Sequence, residues 1–228
     1  MKRRRGFFGR RKVTLDVDAS RFGAPLALRT KWKPAKGGGA NFRTGKLREV
    51  GPSRLEFRAT VGAILFYAAV LGIAVTGVSV TSASLFGVAE LGFASFLPPV
   101  VCLLFVGAGA FLFWHGTRPV VFDQSSGYFW TERKGPDQVF NPDKLKGIAQ
   151  LFEVHALQIQ PELCKTKNSN YYSFELNLVL KDGERRNVMD HGNLRGLLAD
   201  ANTLSAFLQV PIWDASFSIP DDEREFLS

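Results

Sequence analysis

The distribution of apolar and charged residues divides the chain into a long uncharged middle and two charged flanks. Between Thr60 and Trp114, Glu90 is the only acidic or basic residue. Two uncharged runs cover residues 60–80 and 91–114. At 1.5 Å per residue, the 21 residues of the first run would form a helix about 30 Å long, which matches a bilayer hydrocarbon core. We therefore predict a transmembrane helical hairpin over residues 60–116.

The second run contains Pro98-Pro99, and proline lacks the N–H group that a helix interior needs. The second helix is therefore expected to begin near Pro98 or to kink there. Both runs are rich in glycine and alanine, which let helix backbones approach closely in lipid. The pattern favours packing of the two helices within one chain, and a homodimer through the same residues is the alternative.

The basic flanks predict the orientation of this hairpin. The link at residues 81–90 has no Lys or Arg, whereas Arg58 precedes the first run and Arg118 follows the second. By the positive-inside rule, both termini are expected in the cytoplasm. Trp114 would then lie at the inner membrane interface as an aromatic anchor.

After the second run, residues 117–214 alternate in the manner of a β-rich domain. A Gly127 turn separates two β-prone runs, and strongly alternating residues from Tyr172 to Leu180 are typical of a half-buried antiparallel strand. A helix is predicted at residues 193–209, with Asn193 as its N-cap and Pro211 after its end. The predicted strands lie at residues 120–122, 128–131, 148–160 (bulged near Ala156), 172–180 and 185–189.

Residues 45–59 have two further β-prone runs around a Gly-Pro-Ser turn, and we predict a hairpin that joins the cytoplasmic domain. Seven strands and a C-terminal helix would result, with the membrane hairpin inserted after the second strand. Residues 1–44 are expected to form a basic, partly disordered cytoplasmic tail. Residues 215–228 are expected to form an acidic tail.

Three stretches carry a resemblance to a known group: GGGANFRTGKLREVGPSRLEFR, RPVVFDQSSGYFW and YYSFELNLVLKDGERRNVMDHGN. In this order, and around two apolar runs, the chain resembles bacterial membrane proteins that carry a pleckstrin-homology-like domain beside a two-helix anchor. The resemblance implies a membrane-anchored α+β fold whose antiparallel cytoplasmic domain is capped by a C-terminal helix. It also implies location in the bacterial inner (plasma) membrane and a role in binding lipids, peptides or proteins.

The sequence offers little to support catalysis, and we expect no enzyme activity, cofactor or metal site. The histidines His115, His155 and His191 have no metal-ligand spacing. Residues 36–47 are similar to a P-loop, but the spacing of the glycines is too long and Leu47 replaces the required hydroxyl. Asp190-His191 together with Ser173 lacks the context of a nucleophile elbow.

The formal net charge of +8 arises in the N-terminal quarter, where residues 1–59 hold 17 Lys and Arg against 4 Asp and Glu. Without a nucleic-acid-binding motif, this surplus does not favour DNA or RNA as a partner. Basic residues near an anionic leaflet attract lipid phosphates. The candidate phosphate contacts are Arg43, Lys46, Arg48, Arg54, Arg58 and Arg118.

The leading hypothesis is a non-enzymatic inner-membrane protein whose pleckstrin-homology-like module binds an unidentified protein partner or assembles with itself. The first alternative is a module that recognises anionic lipid headgroups. The second alternative is an accessory subunit of a membrane transporter or enzyme complex.

Overall fold

The structure is a computed structural model that describes residues 12–13, 15–37, 39–87, 92–138, 141, 147–165, 170–220 and 223. It contains two compact units. Residues 58–119 form a helical unit, and the chain on either side of them forms a β unit. The helices are α1 (Pro25–Arg29), α2 (Val61–Ala83), α3 (Leu97–Gly116) and α4 (Leu194–Leu208). The strands are β1 (Lys12–Val13), β2 (Gly45–Gly51), β3 (Arg54–Ala59), β4 (Val120–Asp123), β5 (Tyr128–Trp130), β6 (Ile148–Gln150), β7 (Val154–Lys165), β8 (Asn170–Leu180), β9 (Arg185–His191) and β10 (Ile212–Asp214).

The helical unit consists of two long apolar helices, as the uncharged runs predicted. Thr60 caps α2, because its side chain accepts a hydrogen bond from the Ala63 N–H at 3.2 Å. The predicted second span is α-helical only from Leu97, which places both prolines in the first turn, where no N–H group is needed. Of the two alternatives for Pro98-Pro99, a helix start is therefore correct. Both helices are long and apolar enough to cross a membrane.

Small residues bring α2 and α3 together. A side chain added at Gly109 would lie 3.3 Å from the Leu71 Cα, and one added at Gly77 would lie 3.2 Å from the Cys102 Sγ. Backbone and side chains meet closely at these positions, and a larger residue would push the helices apart. The hairpin within one chain is thus present, as the small residues predicted.

The β unit contains two sheets. In the first, the order is β2-β3-β4-β5-β6, and in the second it is β1-β7-β8-β9, with β10 parallel to β7. The predicted hairpin at residues 45–59 is formed by β2 and β3, and β3 pairs with β4 so that Leu55 faces Phe122. The helical unit is therefore inserted between two neighbouring strands of one sheet.

The core lies between the two sheets and α4. Its largest buried side chains come from the inward positions of the strands and from one face of α4, and include Phe57, Phe122, Phe129, Leu157, Ile159, Phe174, Leu176, Leu178, Leu197 and Leu204. Asn193 caps α4 by accepting a hydrogen bond from the Gly196 N–H at 2.6 Å. The helix ends at Gln209, which has a φ of +56°, and Pro211 follows. The predicted helix, its cap and its end are confirmed.

Two predictions about the strands are wrong. The single strand predicted at residues 148–160 is split by a 3₁₀ turn at Leu151–Glu153 into β6 and β7, which belong to different sheets. The predicted bulge is present between Val154 and Ala156. The strand predicted to be half-buried, β8, is buried on both faces from Tyr172 to Leu180.

The N-terminal segment contains more folded structure than a basic tail. Leu26 and Ala27 of α1 are buried against Ala156, Val179 and Trp213. Within the predicted acidic tail, Ile219 belongs to the core. Residues 1–11, and with them the most basic stretch of the predicted tail, lie outside the described residues, as do residues 221–222 and 224–228 of the acidic tail.

Candidate functional site

Two of the predicted phosphate contacts form ion pairs within the β unit. Arg43 approaches the buried Asp200 of α4, with 2.5 Å between its Nη2 and the carboxylate Oδ2. Arg54 donates to Glu56 at 2.8 Å. Its Nη1 also lies 3.6 Å from the carboxylate of Asp123. These guanidinium groups neutralise buried or nearly buried carboxylates, so their charge is largely committed to the fold.

Of the four remaining predicted contacts, three are exposed and Arg118 is half-buried. Lys46 and Arg48 lie on the exposed side of β2, and Arg58 is exposed at the end of β3. Arg118 donates to the backbone oxygen of His115 at 3.4 Å. Trp114, the predicted interface anchor, is 59% exposed on α3. Within the β unit, Arg43 and Arg54 are thus engaged in ion pairs, whereas Lys46 and Arg48 face outward from β2.

A different polar cluster lies on the second sheet. The side chains that alternate with the core residues of β7, β8 and β9 form three cross-strand rows on the opposite face. We call this surface the acidic face, and it comprises Gln158, Gln160, Glu162, Ser173, Glu175, Asn177, Asn187 and Asp190. Most of these side chains are buried, with Gln158, Gln160 and Asn177 fully so.

Two carboxylates stand next to each other in the middle row. Glu175 and Asp190 are direct partners across β8 and β9. Burial raises the pKa of Glu175, and the negative charge of Asp190 raises it further. Burial also raises the pKa of Asp190, which Glu162 reinforces, while a hydrogen bond from Asn187 and the charge of Lys36 act in the opposite direction. Glu175 and Asp190 therefore hold protons more firmly than exposed carboxylates do.

Residues 31–37 and 39–44, which we call the strap, cover the acidic face. The Ala35 N–H donates to both carboxylate oxygens of Glu175, at 2.7 and 3.1 Å. Gln158 donates to the backbone oxygen of Lys31 at 3.2 Å, and the Tyr171 hydroxyl donates to that of Gly39 at 3.2 Å. Side chains of the sheet thus hold the main chain of the strap.

Two glycines allow this close approach. A side chain at Gly39 would overlap the Ser173 hydroxyl and lie 3.0 Å from the Ser173 Cβ. One at Gly192, just after β9, would lie 2.5 Å from the carbonyl oxygen of Asn41. Gly192 also donates its N–H to the Phe42 oxygen at 3.2 Å. The strap therefore fits the sheet only where both positions lack a side chain.

Three buried oxygen atoms on the acidic face have no hydrogen-bond partner among the described residues. They are the Oε1 of Gln160, the Oγ of Ser173 and the Oδ1 of Asn177. An amide oxygen can only accept, so two of the three positions call for an N–H or O–H donor. The strap, which supplies the Ala35 N–H to Glu175, leaves these positions unmatched.

The arrangement does not assemble a catalytic triad. Ser173 and Asp190 lie on the acidic face, whereas His191 pairs with Phe174 on the core side of the sheet. The Nδ1 of His191 accepts the Asn193 N–H at 3.2 Å, and burial lowers its pKa to about 4. Among the described residues, no three His, Cys, Asp or Glu side chains are placed to hold a metal ion. The segment similar to a P-loop leads into β2, not into a helix N-terminus.

Comparison with protein-family models, with curated proteins and with solved structures finds no match for this chain.

Proposed function

We propose that this protein is a non-enzymatic, membrane-anchored binding protein of the bacterial inner membrane. In this proposal α2 and α3 form the anchor, both termini are cytoplasmic, and the β unit is a pleckstrin-homology-like module that binds a protein partner. The observation that carries the binding role is the contact between the acidic face and the strap, because side chains of this surface hold the main chain of a segment without regular secondary structure.

The surface of the helical unit supports the anchor. Large apolar side chains are exposed on both helices, and among the described positions of the two helices only Ala63, Pro99 and Gly109 are buried. Core helices of soluble proteins bury one face, whereas a helix that is apolar on all sides suits a bilayer. In a bilayer this apolar surface would contact lipid instead of water, which is the favourable arrangement for apolar side chains.

The topology of the β unit supports the pleckstrin-homology-like module. If β6 and β7 are counted as one bent strand, seven strands from β2 to β9 follow one another in an antiparallel order and form two sheets. A single helix, α4, then packs against the core between them. This is the order of elements that the resemblance implied.

Recognition of lipid headgroups, the alternative, receives less support. Arg43 and Arg54 are engaged with carboxylates, and the exposed Lys46 and Arg48 suit diffuse attraction to an anionic leaflet. Diffuse attraction weakens uniformly with salt. If the attraction is diffuse, full-length protein in nanodiscs should bind anionic vesicles at low salt and dissociate from them at moderate salt. Selective, salt-resistant binding of one headgroup would favour the alternative.

Crosslinking in native membranes tests the partner role. We expect a lysine-reactive reagent to join the full-length chain to a second protein, identified by mass spectrometry. The double substitution Glu175→Gln and Asp190→Asn should reduce this product, while Glu184→Gln at an exposed turn should not. Recovery of the chain without any partner in wild-type membranes would contradict the proposed binding role.

Topology is tested separately with reporter fusions. Alkaline phosphatase fused after Ser228 should be inactive, because the enzyme folds only outside the cytoplasm, while a cytoplasmic reporter at the same position should be active. The opposite pattern would place the β unit outside the cell and contradict the proposed location.

A further inference from the structure

The strap contacts Glu175, Gln158 and Tyr171 through its main chain, whereas its Trp32, Arg43 and Thr44 side chains make further contacts within the β unit. The Ala35 N–H and the backbone oxygens of Lys31 and Gly39 make the contacts to Glu175, Gln158 and Tyr171. Lys31, Lys33 and Lys36 are exposed along the strap. Any segment with a similar backbone path offers the same N–H donors and carbonyl acceptors.

The charge and the unmatched oxygens of the acidic face indicate what kind of segment fits it. Glu162, Glu175 and Asp190 place three carboxyl groups on this face, and the positive charge of Lys36 in the strap acts on Asp190. The buried oxygens of Gln160, Ser173 and Asn177 lack a partner among the described residues. Unsatisfied buried acceptors cost free energy. A segment that brings further N–H donors and positive charge would therefore bind this face with a more favourable free energy than the strap does.

We infer that the acidic face is a binding site for a basic peptide segment of a partner protein, and that the strap occupies this site as an internal ligand. The inference rests on the proposed function and names the class of partner. A partner segment would carry a lysine or arginine near the position of Lys36 and a glycine at the position of Gly39. Binding of the partner displaces the strap, so the site is closed until a competing segment arrives.

A synthetic peptide with the strap sequence, KWKPAKGGGANFRT, tests this inference with full-length protein in detergent. Two variants open the site: Gly39→Leu, whose side chain collides with Ser173, and Ala35→Pro, which removes the N–H donated to Glu175. Gly51→Leu is the matched control, since a side chain there meets nothing within 4 Å. Circular dichroism and thermal denaturation establish that each variant is folded.

We expect the fluorescently labelled peptide to bind both opened variants at least tenfold more tightly than wild type or Gly51→Leu. Adding Glu175→Gln and Asp190→Asn to an opened variant should abolish this gain in affinity. A labelled peptide that itself carries Gly39→Leu should bind the opened variants no better than wild type. If a folded, opened variant binds the peptide no better than wild type, the inference is wrong. The same holds if binding is unchanged by the loss of both carboxylates.

The two proposals fail in different ways. If the opened variants do not bind the peptide but the wild-type chain is still crosslinked to a partner in membranes, the partner uses another surface and only this inference is overturned. If the peptide binds but no partner is crosslinked in membranes, the site exists and the proposed cellular role is wrong.

Discussion

Glu175 and Asp190 lie directly opposite each other on β8 and β9, and the amide nitrogen of Asn187 donates to both, at 3.1 and 3.0 Å. Two like charges at directly opposed positions of a sheet repel each other. The raised pKa of each carboxyl follows from burial and is reinforced by a neighbouring negative charge. The pair is therefore most compatible with the fold when a proton is bound.

The first prediction concerns stability against pH. Because the folded chain holds these protons more tightly than the unfolded chain, the pair stabilises the fold fully below about pH 4, the ordinary carboxyl range. This contribution is lost as the pH rises through the raised pKa values. Glu175→Gln should reduce the fall in the free energy of unfolding between pH 5 and pH 8, measured by urea denaturation. An unchanged pH slope, equal to that of the exposed control Glu184→Gln, would contradict the linkage.

The second prediction concerns His191, whose effect on the pH dependence of stability is opposite to that of the carboxyl pair. Its pKa is lowered by burial from 6.5 to about 4, so the fold loses stability as the pH falls through this window. At 1.36 kcal/mol per pKa unit, the full effect is about 3 kcal/mol. His191→Asn keeps an acceptor for the Asn193 N–H and removes the titration. The variant should be less stable at pH 7 but lose less stability between pH 6.5 and pH 4. A slope as steep as that of wild type would contradict this role.

The third prediction concerns the cap of α4. Asn193→Ala removes the acceptor of the Gly196 N–H and should lower the free energy of unfolding by about 1 kcal/mol. Asn193→Ser should restore most of the loss. Asn202→Ala, the same substitution at an exposed interior position of α4, should be neutral or stabilising, since alanine is the better helix former. Equal losses at the two positions would show that capping is not the cause.

The fourth prediction concerns the fit of the strap. Gly192→Ala would place a methyl group 2.5 Å from the Asn41 oxygen, and backbone atoms cannot yield cheaply. We expect a loss of about 2 kcal/mol and faster hydrogen exchange at the Ala35 amide. Gly51→Ala is the control, because a side chain at Gly51 meets nothing within 4 Å. Unchanged exchange at Ala35 in a folded Gly192→Ala variant would mean that the strap is not held there.

The sequence predicted the elements that depend on local pattern. The two apolar helices, the cap at Asn193 and the bulge near Ala156 follow from periodicity and from residue types that act over a few positions. The break at Leu151–Glu153 was missed, because the turn contains neither glycine nor proline and β-prone residues continue on both sides of it.

The acidic face was also missed, for a reason that lies in long-range packing. Alternating polar residues on β8, such as Ser173, Glu175 and Asn177, look identical whether water or another segment covers them. The covering strap lies more than 100 residues earlier in the chain, and its contacts use backbone atoms that carry no residue signature. Gly39 and Gly192 were the available sequence signal for a close contact between the strap and the sheet. The signal can be interpreted only when the segments that approach these glycines are known.

The last prediction tests the packing of α2 against α3. A Cβ added at Gly77 would lie 3.9 Å from the Cβ of Cys102, within the usual range of a disulfide. Gly77→Cys should therefore form an intrachain disulfide with Cys102 under mild oxidation of the full-length protein, detected by mass spectrometry of non-reduced peptides. Gly72→Cys is the matched control on the same helix, because a side chain there meets nothing within 4 Å. Linkage at Gly72, or none at Gly77, would mean that the helices meet along another face, since a disulfide cannot form across misaligned Cβ atoms.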